Sequence, residues 1–541
     1  MNNFFLNKHK IILLIFSIVF FVLYNYLNFS VPGIFNSPDE TANYVFTGTV
    51  AKENKLSYSL PQDYGELNEF IHPRSTYVEE NGGKEILPVG FLGMPMMYGL
   101  IAKIVGMNAM VFLTSVLAIL GVWAFYGIIK KIFNKEVAFY SSLLLFFQPV
   151  LFYYTARSMF HNVPSVSLLL IGIWFLLVNP LKMIIEHRFN RPALPAGRFE
   201  RISMMVNDIL GMSVFMLGIL MRPNEIVWIG LAMCIVIIAY RKEISFSRLL
   251  TWIITSLIFI GLYAWFNIQV YGNPIGAYIT SRSIGVSHWY SFLFPFGVSV
   301  GMIVRSVWFY FINIQWWYTV PALFGFAFFI FNWKKGILTR AQKIYAIVCI
   351  FVSSFLFIYY GSSADTLYSM KTIGVAYTRY WLPIFILMLP FVGSVWQGIA
   401  QKKRAWLLGV IVLSGMALLS YNAAFRGVDG ILAVRGQLKY VELVKKDILA
   451  STQTHAIIVS DREDKFVWPE RQVIVRFFDS RVGQALGKLV FAGNPVYYLT
   501  PKLDEAHYQN TVDYLGQFGL SLEEKMFFKD HTLYNLKVHS Q

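Results

Sequence analysis

The sequence predicts a mainly α-helical, polytopic membrane protein with about 11 transmembrane helices and external interfacial helices, followed by a small α/β domain outside the cytoplasm. Three observations predict it. Of 541 residues, 56% are hydrophobic and only 14% are charged. Mean hydropathy is +0.53, more apolar surface than a soluble chain of this size could hide. Apolar runs near bilayer-spanning length recur from residue 11 to about residue 421, after which composition turns mixed and charged.

Charge sets the sides. Lys8, His9 and Lys10 precede the first span, residues 11–29, and put the N-terminus in the cytoplasm. That run lacks a small-residue cleavage site, so it reads as a retained helix rather than a signal peptide. The loop 30–88 is then external and carries Asp39, Glu40, Asp63, Glu66, His72 and Arg74. Residues 89–105 are apolar but broken by Gly90, Gly93, Pro95 and Gly99, and read as an interfacial helix. With that reading, 107–129 runs inward and ends on Lys130, Lys131 and Lys135. Residues 137–154 go out, and the loop with Arg157, His161 and Asn162 is external. Residues 163–178 return to a basic loop, 182–201. Residues 209–220 go out to Arg222-Pro223-Asn224-Glu225, and 226–240 return to Arg241 and Lys242. Residues 249–270 go out. An amphipathic stretch with Arg305, 297–311, lies on the surface, and 316–331 come in to Lys334 and Lys335. Residues 344–360 go out, 381–399 come in to Lys402, Lys403 and Arg404, and 405–421 go out. Each short basic cluster then lies inside.

An odd number of spans places residues 422–541 outside the cytoplasm, so the expected division is 1–421 and 422–541. Short apolar runs at 455–460, 473–477 and 495–499 read as buried strands. Helical patterns at 440–449, 481–491 and 503–518 flank them, which predicts some parallel pairing. Asp461-Arg462-Glu463-Asp464-Lys465 reads as a solvated turn.

The net charge of +16 fits cytoplasmic loops and anionic lipid, and no basic run interleaved with aromatics suggests nucleic acid. Cys234 and Cys349 both fall in apolar spans, which argues against a structural disulfide or a cysteine metal site.

The stretch Asn36-Ser37-Pro38-Asp39-Glu40-Thr41-Ala42-Asn43-Tyr44 follows the first span directly. Carboxylates so near hydrocarbon are costly unless they face water, a partner or a substrate. Ser37-Pro38-Asp39-Glu40 also starts a helix well, with Ser37 as cap and Glu40 closing a capping box. The helix that follows would lie amphipathically on the membrane. Capping accounts for Glu40 but does not need Asp39. On the predicted topology Asp39, Glu40, Arg157, His161, Asn162, Arg222, Lys371, Arg379 and Tyr380 converge on the external face. Arg379, in Tyr377-Thr378-Arg379-Tyr380-Trp381-Leu382-Pro383, sits where a loop re-enters the membrane, a depth that suits a lipid phosphate. The bland readings are helix capping for His161-Asn162, a solvated loop for Lys371 and snorkelling for interfacial arginines.

These motifs resemble the polytopic C-type (GT-C) glycosyltransferases, in the branch of protein O-mannosyltransferases and lipid A aminoarabinose transferases. The first span followed by Ser37–Tyr44 carries the resemblance. Similar too are Leu-Pro-Val-Gly-Phe-Leu-Gly-Met-Pro-Met-Met-Tyr at 87–98, Ala156-Arg157 with Asn162-Val163-Pro164, and Arg379-Tyr380-Trp381-Leu382-Pro383. The chain departs from the family where a His commonly follows the acidic pair, here Asn43-Tyr44, and where an Asp is common, here His161-Asn162. The resemblance implies an integral-membrane inverting glycosyltransferase. A sugar on polyprenyl phosphate would pass to an acceptor hydroxyl of a glycan, lipid or protein on the outer face. Asp39 would be the base, with Glu40 orienting the acceptor or capping the helix. Arg379 would hold the leaving phosphate, followed by Arg157, Arg222 and Lys371, with Tyr380, His161 and Asn162 beside them. No metal is obligatory on this reading, although the acidic pair would accept a divalent cation if a further ligand came near. The competing classes are a lipid or solute transporter, which would place essential ionisable groups at mid-membrane, and a silent scaffold presenting the C-terminal domain.

Overall fold

A computed structural model describes residues 8–79, 83–178, 199–276, 294, 296–363, 372–374, 376–400 and 406–539. It forms two compact units, each discontinuous in sequence: residues 1–29 with 112–433, and residues 30–111 with 434–541.

The first unit is helical, and each expected span falls on a helix. Among the described residues of the chain, six helices are long and apolar enough to cross a bilayer, or up to eight if each bent pair is one span. Lys8–Tyr24, Asn162–Val178 and Ile226–Ala239 are shorter apolar helices at three further expected spans. The protein is therefore an integral membrane protein. Its helices pack through small residues, as expected where lipid removes the hydrophobic drive for association. A Cβ on Gly218 would lie 2.9 Å from the Ser165 carbonyl oxygen, and the Ser165 hydroxyl donates to the Gly218 carbonyl at 2.8 Å.

Two helix pairs are sharply bent at a break. Lys135–Phe147 and Pro149–Ala156 meet at 49° around Gln148, and Val300–Asn313 and Trp316–Lys334 meet at 102°. Broken helices free backbone groups that need partners in an apolar setting. The Gln148 side chain accepts from the Leu151 N–H at 2.7 Å, satisfying one of them. The right-angle turn also accounts for the amphipathic 297–311 stretch, which cannot continue the helix that follows it.

The second unit joins the 30–111 segment to the last part of the chain. Strands β1 (Tyr58–Ser59), β2 (Thr76–Val78) and β3 (Glu85–Pro88) form a small antiparallel sheet in the order β1-β3-β2. The C-terminal segment supplies β4 (Ile457–Val459), β5 (Gln472–Ile474), β6 (Val496–Pro501), β7 (Leu520–Phe527) and β8 (His531–Val538). Their order is β5-β4-β6-β8-β7, with parallel pairing of β4 to β5 and β6 and antiparallel pairing elsewhere. Helices Ser480–Phe491 and Glu505–Gly516 complete this part. One core is shared by both segments. Ala42, Phe46, Ile71, Val78 and Ile86 pack in it with Ile457, Phe477, Leu486 and Leu536.

Two expectations are corrected here, and one element is new. Helix Pro38–Glu53 does not present an apolar face to a membrane surface. Phe46 is fully buried in the shared core, and Val50 meets Gly99 so closely that a Cβ there would lie 2.5 Å from the Val50 side chain. The acidic turn 461–465 is solvated only in part: Asp461 and Arg462 are exposed, but Glu463 and Asp464 are buried. The hairpin β7–β8 was not expected. Strand β7 forms the exposed edge of the sheet, so its sequence, LSLEEKMF, lacks an apolar alternation.

Candidate active site

The acidic pair opens helix Pro38–Glu53, and the two carboxylates have separate surroundings. Pro38 takes the first helical turn, where its missing N–H costs nothing. Glu40 is 1% exposed, and its Oε2 accepts from the Ser37 N–H at 3.1 Å, one half of the capping box. Asp39 is half-buried. Its Oδ1 accepts a 2.6 Å hydrogen bond from the Ser75 hydroxyl.

Ser75 lies in a tightly tied loop. Its φ is +64°, the left-handed region that a serine rarely adopts. Its carbonyl accepts from the Val89 N–H at 3.1 Å. The preceding residue, Arg74, binds Asp464 three times. Its backbone N–H donates to Oδ2 at 2.8 Å, and Nε and Nη2 donate to Oδ1 at 2.9 and 2.7 Å. Arg74 Nη2 also donates to the Arg462 carbonyl at 2.5 Å. His72 is partly buried, with Nδ1 2.9 Å from the Pro73 carbonyl oxygen. A carbonyl only accepts, so Nδ1 carries the proton. Burial pulls the His72 pKa below its ordinary value; the Pro73 contact opposes this and Arg476 adds to it.

The expected cationic residues converge in the first unit. Arg157, at the end of helix Pro149–Ala156, and Arg379 lie on the Phe160 ring at 5.2 and 4.5 Å from its centre. Arg379 and Arg222 lie on the Tyr380 ring at 5.4 and 4.8 Å. Asn162 opens helix Asn162–Val178, and its Nδ2 donates to the Arg379 carbonyl at 3.4 Å. His161 is half-buried just before it. Aromatic faces attract guanidinium groups, and here they seat all three arginines.

Arg222 is as buried as Arg157 and is paired with a carboxylate. It is 6% exposed, and its Nε and Nη2 donate to Glu225 Oε1 at 3.1 and 2.7 Å. Tyr360 Oη also donates to Oε1, at 2.7 Å, and Trp228 Nε1 donates to Oε2. Tyr360 stacks on Tyr380 at 4.8 Å. This neutralised network supports the Tyr380 ring. Lys371 lies outside the described residues.

Sequence reasoning missed Asp429, which follows helix Trp406–Phe425. Its Oδ2 accepts from the Thr372 hydroxyl at 2.9 Å, and its carbonyl accepts from Tyr153 Oη at 3.0 Å. Tyr153 Oη also accepts from Arg157 Nη1 at 3.1 Å. Burial holds the Asp429 carboxyl above its ordinary range, with Thr372 and Arg157 opposing. The available signal was a carboxylate just beyond the end of a span, the placement that also marked the Asp39–Glu40 pair. Among the described residues, no three His, Cys, Asp or Glu side chains come together as a metal site would require.

Residues 92–182, which include Arg157, His161 and Asn162, match a family described as dolichyl-phosphate-mannose-protein mannosyltransferase. No curated protein matches the chain. Among solved structures, ArnT from Cupriavidus metallidurans bound to undecaprenyl phosphate is similar at TM-score 0.58 and 10% identity, over 96% of this chain and 97% of that one. The Archaeoglobus fulgidus oligosaccharyltransferase in the apo form is similar at TM-score 0.54 and 10% identity, over 100% of this chain and 75% of that one. The oligosaccharyltransferase AglB from the same organism, in complex with an inhibitory peptide and a dolichol-phosphate, is similar at TM-score 0.51 and 10% identity, over the same shares.

Proposed function

We propose that this chain, whose fold is that of the polytopic GT-C glycosyltransferases, transfers a sugar from a polyprenyl-phosphate donor to an acceptor hydroxyl on the outer face of the membrane. The seating of Arg157 and Arg379 on one aromatic ring, Phe160, carries this reading. Two adjacent guanidinium groups with apolar support suit the monophosphate of a lipid carrier. The matched family and the lipid-phosphate complexes of the two similar enzymes support the same donor class.

In the reaction the acceptor oxygen attacks the anomeric carbon, the bond from that carbon to the phosphate oxygen breaks, and the configuration inverts. Asp39 accepts the proton of the acceptor hydroxyl as the new bond forms. Arg379 and Arg157 take up the charge that develops on the leaving phosphate. Glu40 keeps the helix start closed and so holds Asp39 in place. The N-terminus lies in the cytoplasm and the C-terminal segment outside, as the basic clusters dictate.

Turnover of polyprenyl-phosphate sugars by the purified protein tests this, with wild type beside Asp39→Ala. Release of free lipid phosphate by wild type and not by the folded variant is the expected result. Equal release by both would overturn the assignment of Asp39. No release by either from a broad donor panel would favour a transporter.

A further inference from the structure

We infer that Ser75 is the positioning residue for Asp39, and that the C-terminal segment fixes where this carboxylate points, through Asp464 and Arg74. The inference rests on the reading of Asp39 as the base.

Ser75 reaches Asp39 from outside the helix that carries it, at 2.6 Å, so the bond joins two separate pieces of backbone. A serine at φ +64° costs stability relative to glycine. Such strain persists only where the surroundings over-determine the residue, and it concentrates at functional sites. Here the surroundings are explicit. Val89 holds the Ser75 carbonyl on one side. On the other, Asp464 grips Arg74 by its backbone N–H and its guanidinium together. The backbone contact matters most, because it fixes the Pro73–Arg74 peptide, one residue before Ser75, and not only a flexible side chain. Asp464 has no exposure to solvent, and opens a short helix, Asp464–Val467, just beyond β4. The path from the C-terminal sheet to Asp39 therefore runs through Asp464, Arg74 and Ser75 with hydrogen bonds of 2.6–2.9 Å between them.

A hydroxyl donor on one carboxylate oxygen limits rotation of Asp39. Glycine at 75 would suit the backbone better than serine does. The side chain of Ser75 is accounted for by what it holds, the Asp39 carboxylate.

The test uses full-length protein with Ser75→Gly and Ser75→Ala, beside wild type and Asp39→Ala, on a polyprenyl-phosphate sugar. Ser75→Gly relieves the strain, so it should unfold no earlier than wild type. Both Ser75 variants should lose at least ten-fold in kcat with KM for the donor unchanged, a split that loss of fold would not give. Wild-type kcat in both, with Asp39→Ala inactive, would overturn the positioning role alone. Wild-type kcat in Asp39→Ala would overturn the proposed base and this inference with it. A loss in Ser75→Ala that Ser75→Gly reverses would show that only backbone strain was at stake, and would overturn the inference.

Discussion

Gln148 and Gln315 stand at the breaks of two bent helix pairs and bind one another, Gln148 Nε2 donating to Gln315 Oε1 at 2.7 Å with both side chains fully shielded from solvent. One amide thus answers the other where two helices are interrupted. Replacing Gln315 with Leu leaves the Gln148 amide buried without its acceptor, at a cost of roughly 1–3 kcal/mol. Replacing Gln148 with Leu should cost more, because the same side chain also caps Leu151. Thermal unfolding of both variants in detergent checks the order.

Arginine variants should separate into two kinds. Arg379→Ala and Arg157→Ala should lower turnover of the lipid donor, by ten-fold or more, while the protein stays folded. Arg222→Ala should instead destabilise, by about 3–5 kcal/mol, because it strands the buried Glu225 carboxylate. Pairing Arg222→Met with Glu225→Gln should recover much of that loss. Turnover and melting temperature, measured on the same preparations, distinguish the two kinds.

Asp464→Ala should weaken the second unit. Breaking a buried pair costs about 3–5 kcal/mol, but Arg74 is 31% exposed and water takes up part of its charge, so roughly 2–4 kcal/mol is expected. Limited proteolysis of the 30–111 segment would report it. Cleavage at the wild-type rate would contradict the assignment of Asp464 as its anchor.

Acid should loosen the same unit. His72 has its pKa lowered by burial from 6.5, so the unfolded chain takes up this proton first. Its contribution is intact above pH 6.5 and is lost as pH falls below that value, at up to about 1.4 kcal/mol per pH unit. His72→Asn should flatten the fall in melting temperature between pH 7 and pH 5. An unchanged slope would mean that His72 is not the group responsible.

Sequence carried the helical unit well, because each span is a continuous apolar run and basic clusters punctuate the series. It also brought Arg157, Arg379 and Tyr380 to one place through topology alone. It could not show that Phe160 seats two arginines, or that Glu225 takes the charge of Arg222, since both depend on packing between distant helices. The partnership of Arg74 with Asp464 was invisible for a similar reason. It spans nearly the whole chain, and Asp464 sits in a run of charges that reads as solvent-facing. Asp39 was legible as the carboxylate that capping does not need, but nothing local pointed to Ser75.

The second unit draws on two stretches separated by residues 112–433. At synthesis rates of about 5–20 residues per second, roughly 15–65 s pass between completion of the first stretch and the start of the second. Phe46 and Ile71, both wholly enclosed in the finished protein, have no core to enter during that interval. The nascent chain therefore carries an unfinished half-domain through the insertion of most of its helices, and a chain that stops before residue 434 never closes it. Quality control that senses exposed apolar surface would act on such truncated products even when every membrane helix is in place.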